Sequence, residues 1–251
     1  MIVIKNEQEI EKMRAAGKLA AQLLDFLEPQ VRAGNSTAHL DRLAEKFTVE
    51  QGAISAPLNY HGFPKSICTS INNVVCHGIP SEQDILQDGD IVNIDVTVIL
   101  DKYHGDSSRT YLIGQVDPEI AKLVERTRQA LEIGIAQIQP GGKLNAVGRA
   151  IENYIKPFGY AIVDAYCGHG IGRSFHEAPH VLHTYSLENN IELQPGMTFT
   201  VEPMINLGKS SEVKTSAEDG WTVTTADGSV SAQFEHTVLV TETGVEILTQ
   251  S

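Results

Sequence analysis

Ile91-Val-Asn-Ile-Asp95-Val-Thr-Val-Ile-Leu100 is a run of mostly β-branched and aliphatic residues with one carboxylate near its middle. Such a run predicts a buried strand. A lone carboxylate in that setting would lose its hydration, and it would have to protonate or find a partner. The stretch therefore predicts a strand whose carboxylate is shared with another charged group.

Two further strand-like runs carry a carboxylate in the same way. They are Met197-Thr-Phe-Thr-Val-Glu202-Pro-Met and Glu235-His-Thr-Val-Leu-Val240. The complete set of polar side chains in apolar surroundings is Asp95, Asp106, His169, Glu202 and Glu235. A divalent cation shared among several carboxylates removes the cost of burying them. The sequence thus predicts a metal site.

Length and composition limit the class of protein. The chain has 251 residues, of which 41% are hydrophobic, enough for one large domain or two small ones. No stretch approaches the ~20 apolar residues of a membrane span, and no signal peptide is evident. Three cysteines predict reduced thiols and a cytosolic setting. The net charge of −13 argues against direct nucleic-acid binding.

Four amphipathic segments predict helices. The first follows a capping box at Asn6-Glu-Gln-Glu9 and stops at Pro29. The second runs roughly from Thr37 to Gln51. The third opens at Asp117-Pro118, with proline at its first position, and the fourth runs roughly from Asn145 to Lys156.

The two helix pairs repeat at a constant offset of 107 residues. This shift takes Val31 to Ile138, Gly34 to Gly141, Arg42 to Arg149, Glu45 to Glu152, Gly52 to Gly159, Gly89 to Gly196 and Asp95 to Glu202. Because the matches keep their order through helix, turn, helix and strand, we predict an α+β fold built by duplication. We expect one catalytic domain over residues 1–251, with half-repeats of roughly 1–115 and 116–251.

The register of the repeat breaks after Glu202. Asp106 matches Glu235 only if the second half holds 22 further residues, which a loop from Asn206 to Ser229 can supply. A pseudo-twofold axis would then bring Asp95 to face Glu202 and Asp106 to face Glu235. Asp95 and Asp106 also flank a predicted hairpin turn and can point to the same face of the sheet.

The predicted ligand set indicates a reaction class. Four carboxylates and one imidazole suit Mn, Fe, Co or Zn better than a thiolate-rich site would. Bridging carboxylates fit two divalent ions, which together activate water and polarise a carbonyl, so hydrolysis is the natural reaction. The glycines around His169 allow close approach to another group. Their spacing is not that of a phosphate-binding loop.

Six motifs together resemble the type I methionine aminopeptidases. They are Asn93-Ile-Asp95-Val-Thr97, His104-Gly-Asp106, Cys167-Gly-His169-Gly-Ile-Gly172, Gly196-Met-Thr-Phe-Thr200, Glu202-Pro203-Met204 and Ser231-Ala-Gln-Phe-Glu235-His236-Thr237. The similarity covers essentially the whole chain, with the motifs in family order. It implies the pita-bread fold: a curved antiparallel sheet with helices on its outer face and internal pseudo-twofold symmetry. The implied activity is removal of the initiator methionine when the second residue is small.

The resemblance also implies roles for particular residues. Asp95 would bind one metal ion, Asp106 and Glu235 would bridge, and His169 and Glu202 would complete the other site. A metal-bound hydroxide would attack the methionyl carbonyl, with Glu202 as the proton shuttle. His176 would hydrogen-bond the substrate carbonyl and His77 would contact the scissile amide nitrogen. The family's methionine-binding positions fall on Tyr60, Phe63, Cys68, Phe175 and Trp221.

Departures and side features of the resemblance concern specificity. The family often has cysteine where Pro57 stands and tyrosine where Phe63 stands, which affects the substrate preference rather than the chemistry. Asn72, Val74 and Ser231 match a monovalent-cation site of some members. We expect a monomer that acts on peptides or on nascent polypeptides at the ribosome, in the cytoplasm and away from membranes.

Other functions stay open at this point. One is a peptidase of the same fold that cleaves before proline, although such relatives usually carry a separate N-terminal domain. A second is a non-catalytic homologue that binds nascent chains, which the complete ligand set disfavours. A dinuclear phosphoesterase would lack a basic cluster, and a type II methionine aminopeptidase would need a long helical insert between His180 and Glu202. Each site residue alone has a plain structural reading as a turn, loop or core residue.

Overall fold

A computed structural model describes residues 2–251. The α-helices are α1 (Glu7–Leu27), α2 (Thr37–Glu50), α3 (Pro118–Ile135) and α4 (Asn145–Ile155). The first strands are β1 (Ile54–Ser55), β2 (Cys68–Ile71), β3 (Val74–Cys76), β4 (Ile91–Leu100), β5 (Tyr103–Leu112), β6 (Ala161–Ile162), β7 (Gly168–Gly170) and β8 (Glu177–Val181). The others are β9 (Thr198–Val201), β10 (Met204–Asn206), β11 (Val213–Thr215), β12 (Val223–Thr225), β13 (Ser231–Gln233), β14 (Glu235–Val240) and β15 (Val245–Ile247). Short 3₁₀ turns span Glu28–Gln30, Tyr60–Gly62 and Lys156–Phe158.

The helix boundaries follow the predicted signals. Asn6 accepts from the backbone of Glu9 and the Glu9 side chain returns the bond, so the capping box is present. Asp117 caps α3 directly before Pro118. These two caps bind backbone N–H groups in the first turns of α1 and α3, which have no partner within the helix.

One antiparallel sheet organises the molecule. Its strand order is β1-β4-β5-β14-β9-β7-β8, with β2 also paired to β4 and β15 to β14. Strands β4 and β5 of the first half therefore meet β14 and β9 of the second half at the β5–β14 junction. That order is symmetric about the junction, which is where a pseudo-twofold axis relating the halves must pass.

Backbone details repeat at the predicted offset of 107 residues. An isolated bridge joins Ser36 to Ile85, and its counterpart joins Lys143 to Glu192. Gly34 and Gly141 both adopt positive φ, at 90° and 76°, a conformation that side chains with a Cβ rarely reach. The pita-bread fold with internal duplication is thus confirmed. The division into half-repeats near residue 115 stays a prediction, and it falls between β5 and α3.

Each half has its own apolar core between helices and sheet. Alternate residues of β4, including Val92, Ile94 and Val96, pack with Leu23 and Leu24 of α1. The corresponding core of the second half packs α3 and α4 against β9 and β14. Because side chains alternate along a strand, the opposite face of the same strands is free to carry polar groups.

Two sequence-based expectations need correction. Glu202 does not lie within a strand: β9 ends at Val201, because Pro203 has no N–H with which to continue the ladder. The segment from Asn206 to Ser229 is not a simple loop, since it contains the β11–β12 hairpin, and β12 pairs with β3. Within residues 2–251, no helix combines the length and apolar character needed to cross a bilayer.

Candidate active site

A single cavity of about 500 Å³ receives every predicted ligand, catalytic and pocket residue. These residues are Tyr60, Phe63, Cys68, His77, Asp95, Asp106, His169, Phe175, His176, Glu202, Trp221 and Glu235. Pro57, one of the two departures from the family pattern, also lines it. Side chains from both halves of the chain therefore meet in one place.

Strand alternation explains how the carboxylates reach the cavity. On β4, Asp95 alternates with the apolar residues that face α1, and it points to the opposite side. On β5, Asp106 lies opposite Thr97, so Asp95 and Asp106 are diagonal neighbours on one face rather than directly opposed. Glu235 enters from β14, which pairs with β5 at Ser108.

The tightest cluster in the cavity is Asp106, His169 and Glu235. One potential ligand atom from each lies within 4.8 Å of the others. The Nε2 atom of His169 is 3.6 Å from Oδ2 of Asp106 and 3.7 Å from Oε1 of Glu202. Asp95 lines the same cavity outside this tight group. The cavity therefore holds a compact group of three candidate ligands, flanked by the carboxylates of Asp95 and Glu202.

The His169 ring is oriented as a ligand. Its Nδ1 lies 3.0 Å from the carbonyl oxygen of Gly170, an acceptor, so Nδ1 carries the proton. Nε2 then presents its lone pair to the carboxylates. Burial and the nearby His176 lower the pKa of His169 to about 3, which keeps the ring neutral. A neutral imidazole with one nitrogen held by a backbone carbonyl is the usual state of a metal ligand.

The four carboxylates are mutually destabilising without a cation. Burial raises the pKa of Asp95 to about 7 and that of Glu202 to about 8. Burial and the neighbouring carboxylates raise the pKa values of Asp106 and Glu235 well above their ordinary range. A divalent cation would offset both effects, so the donor set fits a hard or borderline metal ion.

Hydroxyl and amide groups hold two of the carboxylates in place. The Oγ1 atom of Thr97 donates to Asp106 at 2.7 Å. The Oγ1 atom of Thr200 donates to Oε1 of Glu202 at 2.7 Å, and Nε2 of Gln233 lies 3.3 Å from the other oxygen. These bonds leave little rotational freedom at either carboxylate.

His183 is a site residue that the sequence did not reveal. Its Nε2 accepts the backbone N–H of Glu202 at 3.1 Å, and its side chain is fully buried. Burial lowers the pKa of His183 to about 3, so the ring is neutral and Nδ1 bears the proton. The only sequence signal is an apolar setting, Val181-Leu-His183, which many core histidines share.

Aromatic rings form the wall above the ligand cluster. Tyr60 packs against Phe175 at 4.9 Å between centroids, and its hydroxyl lies 2.8 Å from Nδ1 of His176. His176 stands 4.1 Å from His169 between ring centroids. The opposite wall is built by the β11–β12 hairpin, which carries Trp221.

His77, the other histidine predicted to be catalytic, lies beside that wall. His77 is 6.0 Å from Trp221 between ring centroids, and its backbone adopts φ of 57°. A non-glycine residue rarely takes this left-handed conformation, and residues that do so often serve a site. Burial lowers the pKa of His77, so the ring is neutral at physiological pH.

The segments matched to a monovalent-cation site also come together. Ser231 donates its backbone N–H to the carbonyl oxygen of Asn72 at 2.9 Å, and Val74 begins β3 two residues further on. The cation itself stays a prediction.

Comparisons with known proteins agree with this architecture. The model of metallopeptidase family M24 matches residues 11–242. The chain is 53% identical to the methionine aminopeptidase of Escherichia coli K12, over 99% of this chain and 94% of that protein. A crystal structure of methionine aminopeptidase from Rickettsia prowazekii superposes with a TM-score of 0.96 at 52% identity, covering 99% of this chain and all of the other.

A more distant relative shares the fold but little of the sequence. The Xaa-Pro dipeptidase of Bacillus anthracis superposes with a TM-score of 0.78 at 24% identity, and this chain spans only 62% of it. That similarity extends to the fold alone. The matches with more than half of the residues identical over nearly the full length are to methionine aminopeptidases. The chain therefore belongs to metallopeptidase family M24 and, within it, to the type I methionine aminopeptidases.

Proposed function

We propose that this chain removes the N-terminal methionine from peptides and nascent proteins whose second residue is small. The observation that carries the proposal is the position of four carboxylates and His169 in one aromatic-walled cavity, where Asp106 and Glu235 are buried and Asp95 and Glu202 are half-buried. Membership of a metallopeptidase family makes the chain a metal-dependent hydrolase. The apolar wall can bind an unbranched side chain of the substrate. A phosphoesterase would not need such a surface.

Two divalent ions per chain, from among Co, Mn, Fe and Zn, would be held by the predicted ligands. These ligands are Asp95, Asp106, His169, Glu202 and Glu235. Bound there, divalent ions activate water and polarise the scissile carbonyl. The hydrogen bonds from Thr97 and Thr200 hold Asp106 and Glu202 in orientations that suit this task.

Glu202 takes up the proton of the attacking water and returns it to the leaving amine. The Oε1 atom of Glu202 lies 3.7 Å from Nε2 of His169, inside the candidate ligand cluster, where a carboxylate can accept a proton from water held there. His77 contacts the scissile amide nitrogen and assists the departing amine. Because the ring of His77 is neutral, it can donate or accept a single hydrogen bond there.

His176 donates a hydrogen bond to the substrate carbonyl as negative charge develops on it. Burial raises the pKa of the Tyr60 phenol, which therefore keeps its proton. If that phenol donates to Nδ1 of His176, the proton of the imidazole resides on Nε2. Burial lowers the pKa of His176 to about 4, so this neutral tautomer persists at physiological pH.

The methionine side chain would occupy the apolar part of the cavity. Tyr60, Phe63, Cys68, Phe175 and Trp221 supply flat or polarisable surfaces that suit a thioether. Pro57 and Phe63 replace residues that carry a thiol and a hydroxyl in many relatives. The slot is therefore less polar here, which favours purely apolar contacts with the substrate.

Several broader features belong to the same proposal. The substrate is a peptide or a nascent polypeptide, met at the ribosome, and the enzyme works as a cytoplasmic monomer. A monovalent cation near Asn72, Val74 and Ser231 would tie β3 to β13. Neither an X-Pro peptidase nor a non-catalytic nascent-chain-binding protein is favoured by the near-full-length likeness to methionine aminopeptidases.

The direct test is to strip the protein of metal, restore single divalent metals and assay the peptides Met-Ala and Met-Leu. We expect no cleavage without metal and strong preference for Met-Ala once metal is restored. Equal cleavage of the two peptides, or inactivity with every divalent metal, would contradict the proposal. Residual cleavage of Xaa-Pro peptides instead would redirect it to the related dipeptidases.

A further inference from the structure

A buried ion pair lies directly behind the loop that carries His176. The Nζ atom of Lys5 lies 2.9 Å from Oε2 of Glu177, with the two side chains only 3% and 11% exposed. Among the described residues 2–251, this is the most buried pairing of a lysine or arginine with a carboxylate. Nζ makes one weaker contact, 3.4 Å to the carbonyl oxygen of Val3.

Two glycines leave room for the Lys5 segment. A Cβ on Gly172 would lie 2.7 Å from Cε of Lys5 and 2.9 Å from Oε1 of Glu177. A Cβ on Gly196 would lie 2.8 Å from the backbone oxygen of Lys5, whose N–H donates to the Gly196 carbonyl. The N-terminal segment thus packs closely against two glycines, and a larger side chain at either position would clash with Lys5.

Residues 172–176 form neither helix nor strand, so side chains have to hold them. Glu177 accepts the backbone N–H of Ser174 at 3.0 Å through Oε1, while its other oxygen binds Lys5. At the start of the loop, the backbone N–H and Nδ1 of His104 both donate to the carbonyl oxygen of Gly172 at 2.9 Å. The loop is therefore clamped at both ends around His176.

Stability alone does not account for a buried ion pair. Removing two charges from water costs free energy that their attraction often fails to recover, and apolar replacements of such pairs are frequently neutral or stabilising. The position of this ion pair is better explained by the conformation that it gives to the neighbouring loop. Glu177 is adjacent to His176 in sequence, and it also lines the active-site cavity.

We propose that Lys5 and Glu177 are positioning residues that hold the 172–176 loop so that His176 meets the substrate carbonyl. This rests on the role of His176 given under the proposed function. The N-terminal segment thereby becomes part of the catalytic apparatus, although Lys5 is 171 positions from His176 in the chain. Both residues act through the loop and neither exchanges a proton with substrate.

The test uses the metal-saturated full-length chain with three variants, Lys5→Met, Glu177→Gln and the double variant. Each is expected to lose roughly 10- to 100-fold in kcat, the usual cost when a supporting contact of a reacting group is removed. The double variant contains no unpaired buried charge, so it keeps the test possible if either single variant fails to fold. Lys143→Met, which breaks an exposed pair with Glu192, is the matched control and should retain full kcat.

A double-mutant cycle with His176→Ala separates positioning from general damage. If Lys5 acts through His176, Lys5→Met removes little further activity once His176 is absent. An equal fold-loss in the two backgrounds would overturn the proposal. Full kcat in all three ion-pair variants would overturn it as well.

Hydrogen exchange gives a readout that does not depend on turnover. The Ser174 amide, bonded to Glu177, should exchange faster in Lys5→Met, while amides of β4 and β14 keep their wild-type protection. Unchanged exchange at Ser174 would also overturn the proposal. If the wild-type chain fails to cleave Met-Ala, the proposed function falls, and the exchange measurement still decides whether the pair holds the loop.

Discussion

Glu202 joins two tasks in one side chain, since it is a candidate metal ligand and the candidate proton shuttle. Thr200 and Gln233 fix its two oxygens, and His183 fixes its backbone N–H. Asp106 is held in a similar way, by Thr97 at its carboxylate and by Thr237 at its backbone. The proton-transfer role proposed for Glu202 is therefore tested by substitution.

The first prediction concerns Glu202→Gln. The amide keeps the size of the side chain but cannot accept and release a proton, so kcat should fall by about 10²-fold or more, the range of general acid–base catalysis. Metal content should be only partly reduced, because the other ligands remain. Steady-state kinetics with Met-Ala and metal analysis of the same sample check both points.

Glu218→Gln provides the control for this substitution, because Glu218 is exposed on the β11–β12 hairpin. It should leave kcat unchanged. Near-normal turnover in Glu202→Gln, with the metal content of the wild type, would remove Glu202 from the proton-transfer role.

At the scale of elements, α1 and β5 pack against each other at very short range. Gly105 of β5 lies so close to α1 that a Cβ there would be 2.3 Å from the carbonyl carbon and oxygen of Ala16. The neighbouring residue Asp106 is a candidate ligand. The helix–sheet contact and the metal site therefore depend on the same glycine.

The second prediction is that Gly105→Ala destabilises the protein, since backbone atoms of α1 must move to admit the methyl group. Overpacking of this kind costs about 1–3 kcal/mol. Gly244→Ala is the matched control, because its Cβ would meet nothing within 4 Å and its φ is ordinary. Urea unfolding should show a lowered midpoint for Gly105→Ala alone. Equal midpoints for the two variants would contradict this account of the contact.

At the scale of the whole molecule, metal binding and folding are linked through the carboxylates. Without metal, the folded chain holds protons on Asp95 and Glu202 up to about pH 7 and 8, whereas the unfolded chain releases them near their ordinary pKa values. Between these limits the folded state binds more protons than the unfolded state. The contribution of these carboxylates to stability falls as the pH rises. Above about pH 7 this contribution sets the sign, because the buried histidines are then neutral in both the folded and the unfolded state.

The third prediction concerns this dependence of stability on pH. The metal-free protein should be more stable at pH 7 than at pH 8.5, and a divalent ion should abolish this difference by keeping the carboxylates ionised at both pH values. Thermal unfolding at the two pH values, with chelator or with Mn²⁺, measures the effect. Stability of the metal-free chain that rises from pH 7 to pH 8.5 would contradict the raised pKa values of the carboxylates.

The same linkage makes a fourth prediction about metal uptake. Because the ligands lose protons when the cation binds, metal binding near pH 7 should release protons to the buffer. Calorimetric titration in buffers of different ionisation enthalpy measures the number released. A binding enthalpy that does not depend on the buffer would mean that the carboxylates are already ionised in the metal-free protein.

The repeated fold could be predicted from the amino-acid sequence alone, and the same local patterns picked out the candidate ligands. A carboxylate within a β-branched run signals local burial, and glycines spaced 107 residues apart signal turns that need positive φ, which is how the duplication could be predicted. The predicted hairpin also allowed Asp95 and Asp106 to share one face of the sheet, and in the structure both line the cavity. All of this is local information, because burial and backbone conformation leave their mark on neighbouring residues.

The distant residues that support these candidate ligands could be identified only from the folded structure. The β11–β12 hairpin carries Trp221 to the cavity, His183 lies behind Glu202, and Lys5 crosses to Glu177. None of these contacts leaves a periodic signal, since each depends on how separate segments pack against one another. A lysine near an N-terminus and a histidine in an apolar run look ordinary until the folded chain brings their partners within 3.1 Å.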